Sequence, residues 1–136
     1  MKEFYLEILT PSKKVFEGNV LSVTLPGTVG EFQILHDHAP IISSLEVGRM
    51  KLRSTSEAES VYAISNGVAE VLKNKVLILV RSIENIDDID ISRAEKAAER
   101  ARKRLSDRNN PEVDVARAEA ALQRALNRMK LKTTLL

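Results

Sequence analysis

Up to about residue 85 the apolar positions recur with period two. Phe4, Leu6 and Ile8 alternate with Glu3, Tyr5 and Glu7, and Gly48, Met50 and Leu52 alternate with Arg49, Lys51 and Arg53. Such alternation predicts strands with one face on a core and one toward solvent. Two short runs, Val61-Tyr62-Ala63-Ile64 and Val76-Leu77-Ile78-Leu79-Val80, are β-rich without alternating, a pattern that fits burial on both sides. Turn chemistry punctuates the segment at Thr10-Pro11, Pro26-Gly27, Asn66-Gly67 and Lys73-Asn74-Lys75. Short strands separated by turns at this spacing predict an all-β sandwich or barrel. Asn66-Gly67 suits a tight turn at positive φ, with a bulge or a wider loop as the alternative.

From Asp90 the period becomes helical. Ile91, Ala94, Ala98, Ala101 and Leu105 step by three and four, and so do Val115, Ala118, Leu122, Ala125 and Met129. The breaker Asp107-Arg108-Asn109-Asn110-Pro111 separates the two sets, so helices are expected over about 90–107 and 112–131. Asp90 and Asp114 are natural N-caps, because a carboxylate accepts from the free N–H groups of a first helical turn. A short loop between such helices makes an antiparallel hairpin.

Charge sharpens this division. The chain of 136 residues carries a formal net charge of only +2. Residues 1–89 hold 9 basic and 12 acidic side chains, whereas residues 90–136 hold 12 and 7, so −3 is joined to +5. The total hides an acidic front part and a basic tail part. There is no cysteine, which removes disulfide frameworks, cysteine zinc sites and thiol chemistry. The apolar run at 76–80 is far shorter than the roughly 20 residues that span a bilayer. Charge interleaves the first seven residues, unlike a signal peptide. The expectation is a soluble, cytoplasmic protein without direct membrane insertion. Aromatics are 4% of the chain and tryptophan is absent, which argues against a stacking platform for nucleic acid.

The two helical stretches also resemble each other. At an offset of 24, residues 90–105 and 114–129 are identical at eight of sixteen positions, among them Arg93/Arg117, Arg100/Arg124 and Arg104/Arg128. Each helix therefore has an alanine seam beside an arginine stripe. A buried methylene contributes about 0.8 kcal/mol, so an alanine seam stabilises closure far less than a leucine seam would. Like-charged stripes brought together oppose closure unless an anion lies between them. The plain reading is two solvated basic faces. The sharper one is a switch, closed with an anion and extended against an acidic partner without it.

Other candidate chemistry is weak. His36, Asp37 and His38 lack further ligands at metal spacing. Gly27 and Gly30 are followed by no phosphate-loop lysine. No triad or catalytic carboxylate pair stands out, so catalytic residues and metal sites are both expected to be absent.

The order of motifs resembles one family. Residues 26–40 (Pro-Gly-Thr-Val-Gly-Glu-Phe-Gln-Ile-Leu-His-Asp-His-Ala-Pro) are similar to the G-E-x-x-I-L-x-x-H-A-P signature of F-type ATP synthase epsilon subunits, with Gln33 where the family often has glycine. Ser65-Asn66-Gly67-Val68-Ala69-Glu70-Val71 resembles a second signature, and Ile89-Asp90-Ile91-Ser92-Arg93-Ala94 the helix-opening [I/L]-D-x-x-R-A motif. The resemblance implies an α+β protein of two units. An N-terminal antiparallel β-sandwich of about ten strands, over 1–86, would bind gamma and the c-ring. A C-terminal antiparallel two-helix hairpin, over 87–136, would be regulatory.

It implies as well a non-catalytic subunit of the bacterial, proton-translocating enzyme, which makes ATP from ADP, peripheral on the cytoplasmic face of the cell membrane. Its partners would be the gamma subunit, the c-ring and the beta and alpha subunits, with no nucleic acid. Its helices can extend into the catalytic head and block ATP hydrolysis. In some bacterial members the folded hairpin binds ATP as a regulatory ligand, no cofactor being required. The positions matching that site are Glu84, Ile89, Asp90, Arg93, Ala94, Arg100, Arg124 and Arg128. Glu31 and His38 match positions near the c-ring contact, with turn stabilisation as the alternative. The competing function is a free-standing ATP-sensing protein, which would bind nucleotide without associating with gamma.

Overall fold

A computed structural model of the chain describes residues 2–134. Among these, the period-two half forms nine strands: Phe4–Leu9 (β1), Lys14–Gly27 (β2), Gly30–Ile34 (β3), Ile41–Leu45 (β4), Gly48–Ser54 (β5), Glu59–Ile64 (β6), Gly67–Leu72 (β7), Lys75–Val80 (β8) and Ile83–Asn85 (β9). Hydrogen bonding runs β1-β8-β7-β4-β2-β5-β6-β9, with β3 on β2 and a second pairing of β1 with β2. All pairings are antiparallel except β1 with β8, which is parallel. The 14-residue β2 joins the two layers. Its first half pairs with β1, its second half with β3, and its other edge with β5.

The alternation read from the sequence is what fills the core. Phe4, Leu6 and Ile8 of β1 are buried, with Val20, Val23, Leu25, Met50, Leu52, Val76 and Ile78. One device breaks the period. Between Val20 and Ser22 the register of β2 against β5 slips by a residue, so Leu21 has no partner there. Such a bulge moves the inward set from even to odd positions. Phe16 and Val20 face the core before it, and Val23 and Leu25 after it.

The turns divide by mechanism. Lys73 and Asn74 both have positive φ (49° and 61°) and close the β7–β8 hairpin as a two-residue turn. Asn66-Gly67 does not form such a turn, because β6 pairs with β5 and β9 while β7 pairs with β4 and β8. Gly67 opens β7 between Leu45 and Val80. Its glycine is a matter of space, since a Cβ there would lie 2.0 Å from the Leu79 carbonyl oxygen.

The chain divides after Asn85 into a second compact unit. A 3₁₀ turn, Ile86–Asp88, precedes two helices, Ile91–Ser106 (α1) and Val115–Thr134 (α2), which pack against each other. Asp90 and Asp114 cap them, accepting from the Arg93 and Arg117 N–H groups at 3.2 and 3.0 Å. Ala94, Ala98, Ala101, Ala118 and Ala125 are buried, and the larger Ile91, Leu105, Val115, Leu122 and Met129 only half-buried. α2 starts three residues later than the breaker suggested. Asn110 accounts for the delay, accepting from Glu112 N–H through its side chain and from Val113 N–H through its carbonyl.

Candidate functional site

Two surfaces stand out, one in each unit. The first is the outer face of the β1-β8-β7-β4 layer, whose register fixes its side chains in rows. One row runs Leu9, Leu79, Val68, Ser44 and the next Glu7, Leu77, Glu70, Ile42. Ile42 is 77% exposed, Leu72 49%, Leu79 45% and Val68 39%. A depression of about 620 Å³ at one end is lined by Leu9, Pro11, Val68, Leu79 and Arg81, among others. The run at 76–80 is therefore not buried on both sides. Val76, Ile78 and Val80 face the core, while Leu77 and Leu79 point outward. Several large apolar side chains are thus exposed on one face, interrupted by Glu7 and Glu70, which makes it a candidate interaction surface.

Charge borders the face at the β1–β2 side. The Lys14 ammonium bridges Glu7, at 3.1 Å, and Glu17. Its hydrogen bonds to these two carboxylates hold it well above the usual lysine range, and it in turn holds Glu17 below the usual carboxylate range. Burial, with Glu17 and Glu7 nearby, pushes the Tyr5 phenol up.

Glu31 and His38 lie toward opposite ends of β3. Glu31 is its second residue and pairs with Arg49 at 3.6 Å. His38 lies beyond its far end, where its N–H donates to the Leu35 carbonyl and its Nδ1 lies 2.7 Å from the Ala39 oxygen. The loop that carries His38 is tied by Asn74. The Asn74 Oδ1 accepts from Asp37 N–H at 2.6 Å, and its Nδ2 donates to Asp37 Oδ1 at 2.8 Å and lies 3.2 Å from His36 Nε2. His36 Nδ1 is 3.2 Å from Asp37 Oδ2. The His36–Asp37 pair thus has a structural employment. Asn74→Ala, which loses these bonds and places a Cβ residue without a compensating side chain at positive φ, is expected to cost about 2–3 kcal/mol. Asn74→Gly, which keeps the backbone freedom, should lose less; urea midpoints of the two variants check this.

The second surface is the helical hairpin. Ile89 and Ala94 are buried, Asp90 is spent on the α1 cap, and Arg93 and Arg100 are exposed on α1. Arg124 and Arg128 are half-buried on α2. Because the helices run antiparallel, Arg93 in the first turn of α1 and Arg128 near the end of α2 share one end of the hairpin. Glu84 belongs to the other unit, on β9, where it pairs with Ala63. Sequence reasoning missed the apolar face, whose signal was the absence of alternation at 76–80. It also missed Lys132, in the last turn of α2, whose ammonium donates to the carbonyls of Ile86 and Asp87 at 3.1 and 3.2 Å.

Comparison with known proteins follows this division. Residues 3–86 match the family model of the ATP synthase, Delta/Epsilon chain, beta-sandwich domain, and residues 87–132 that of the long alpha-helix domain. The ATP synthase epsilon chain of Desulfosudis oleivorans is 44% identical over 100 residues, which are 74% of this chain and 75% of that one. That of Priestia megaterium is 41% identical over 110 residues, 81% of each. Among solved structures, a chain of the Euglena gracilis mitochondrial ATP synthase has a similar fold. Its TM-score is 0.79 at 22% identity, with 98% of this chain and 82% of that one covered.

Proposed function

The chain belongs to the ATP synthase epsilon-chain family, and on that footing we propose that it is a non-catalytic rotor part joining the gamma subunit to the membrane-embedded c-ring. It would sit peripherally on the cytoplasmic face of the bacterial membrane, in an enzyme that makes ATP from ADP with a proton gradient. The observation that carries the reading is the apolar outer face of the β1-β8-β7-β4 layer, with Ile42, Val68, Leu72 and Leu79 exposed together. A partner subunit that covers these side chains removes them from water, and the charged border at Glu7, Lys14 and Glu17 fixes its register. We assign that partner as gamma, and Glu31 and His38 to the c-ring side.

The hairpin supplies regulation in this reading. Closed, it leaves hydrolysis free; extended, its basic helices reach acidic segments of the beta subunits in the catalytic head and block hydrolysis. ATP held by Arg93, Arg100, Arg124 and Arg128, with Ile89, Asp90 and Ala94, favours the closed form through charge-assisted bonds to phosphate.

Reconstitution of an epsilon-depleted enzyme tests both parts. The full chain should lower ATP hydrolysis, and a chain lacking residues 90–136 should bind without lowering it. The Val68→Glu/Leu79→Glu double variant should bind gamma at least about tenfold more weakly. Undiminished binding by that variant overturns the docking face; equal hydrolysis with and without residues 90–136 overturns the inhibitory part.

A further inference from the structure

Lys132 and the 3₁₀ turn bring the two ends of the helical unit together. The Lys132 ammonium donates to the carbonyl oxygens of Ile86 and Asp87, 46 and 45 residues earlier in the chain. The residues beside it are apolar and buried, Leu131 on α2 and Ile86 in the turn, and α2 packs on that turn. The Ile86 carbonyl already accepts from Ile89 N–H at 3.3 Å, closing the turn, so the ammonium adds a second, charge-assisted donor there.

The opposite end of the hairpin is held differently. Asn110 Nδ2 donates to Asp107 Oδ2, Arg108 Nε to the Leu105 carbonyl, and Asn110 Oδ1 accepts from Glu112 N–H. These bonds span three residues or fewer, so they survive whether or not the helices lie side by side. Between the two ends runs the alanine seam, which buries little apolar surface. The bonds from Lys132 differ from those of the loop in existing only while the end of α2 lies on the 3₁₀ turn.

We propose that Lys132 is the clasp of the closed hairpin, and that opening begins with its release from the Ile86 and Asp87 carbonyls. The clasp rests on the regulatory reading above, in which the hairpin opens, and it specifies which residue sets the closed fraction. Its acceptors are backbone atoms, so the donor carries the specificity. It requires a long cationic side chain at position 132, and arginine can replace lysine.

The chain has no cysteine, so spin labels at Ser92→Cys and Lys130→Cys, both exposed positions on α1 and α2, report the separation of the helices in the full chain, free and in the reconstituted enzyme. Lys132→Met, which keeps helix propensity, should raise the open-to-closed ratio roughly five- to tenfold, and Lys132→Arg should leave it near wild type. Ala98→Leu, which pries the seam apart without touching Lys132, provides a second route to opening. If Ala98→Leu opens the hairpin and Lys132→Met does not, the clasp is wrong while the opening stands. Equal opening by Lys132→Met and Lys132→Arg also overturns it, because the cation then contributes nothing. If no variant opens in either setting, the regulatory reading itself fails and the clasp falls with it.

Discussion

Gly67→Ala is expected to destabilise the β-sandwich by on the order of 4 kcal/mol, enough to remove much of what a domain of this size has. The methyl group would stand 2.0 Å from the Leu79 carbonyl oxygen, 2.9 Å from Val80 Cα and 2.9 Å from Val80 Cγ1. Two of these three are backbone atoms of β8, which is hydrogen-bonded on one side to β7 and on the other to β1. Relief therefore requires moving a central strand, with the buried Val76, Ile78 and Val80 that it carries. No side-chain rotation can supply that space. Urea denaturation of the purified variant, followed by the β signal in circular dichroism, measures the loss. An unchanged midpoint would mean that β7 and β8 separate at no cost, against the packing described above.

Ala98→Leu should act on the other unit, and in the opposite sense to a stabilising core change. Ala98 is fully buried on α1, and three added carbons in a closely packed seam cost about 1–3 kcal/mol through displaced neighbours. Elsewhere a domain absorbs that amount. Here the seam is built of Ala94, Ala98, Ala101, Ala118 and Ala125, each burying only about one methyl group's worth of surface. The closed-to-open ratio should fall by about 5- to 150-fold, with the sandwich unaffected. If ATP binds only the closed hairpin, its apparent affinity falls in proportion to the closed fraction. Calorimetry with ATP on wild type, Ala98→Leu and the small Ala98→Ser separates crowding from mere substitution. Equal heats in all three would place Ala98 away from any packed seam.

Much of this architecture is written locally. Phe4, Leu6 and Ile8 announce a half-buried strand because side chains in a strand alternate faces, and Asp90 and Asp114 announce helix starts because their carboxylates meet free N–H groups. What stays hidden is set at a distance. The parallel pairing of β1 with β8 joins residues about seventy positions apart, and no local pattern encodes it. Leu21 erases the alternation of β2, because an extra residue at a bulge reverses which parity faces inward. At 76–80 the missing alternation has two physical origins, a strand covered on both faces by its own chain or one whose outer face awaits another chain. Leu79, 45% exposed, is left uncovered by the described residues of its own chain. Asn66-Gly67 looks like turn chemistry, yet its glycine answers to the Leu79 carbonyl across a neighbouring strand. The arginines were legible as stripes from their spacing; that Arg93 is exposed while Arg128 is half-buried was not, because burial depends on packing beyond the helix that carries the residue. Lys132 was invisible among the other cations of its helix, since its partners are carbonyls that every residue possesses.

The long strand β2 has a mechanical consequence. Its 14 residues bond to β1 and β3 along one edge and to β5 along the other, so the two layers are joined by unbroken covalent backbone as well as by contact between apolar faces. Sliding one layer over the other would require β2 to shear its hydrogen bonds to these strands, and to β4 at Gly27, at once. A load applied to the β1-β8-β7-β4 layer is thus passed to the β5-β6-β9 layer through the polypeptide itself. The two layers of the sandwich therefore move as one stiff piece.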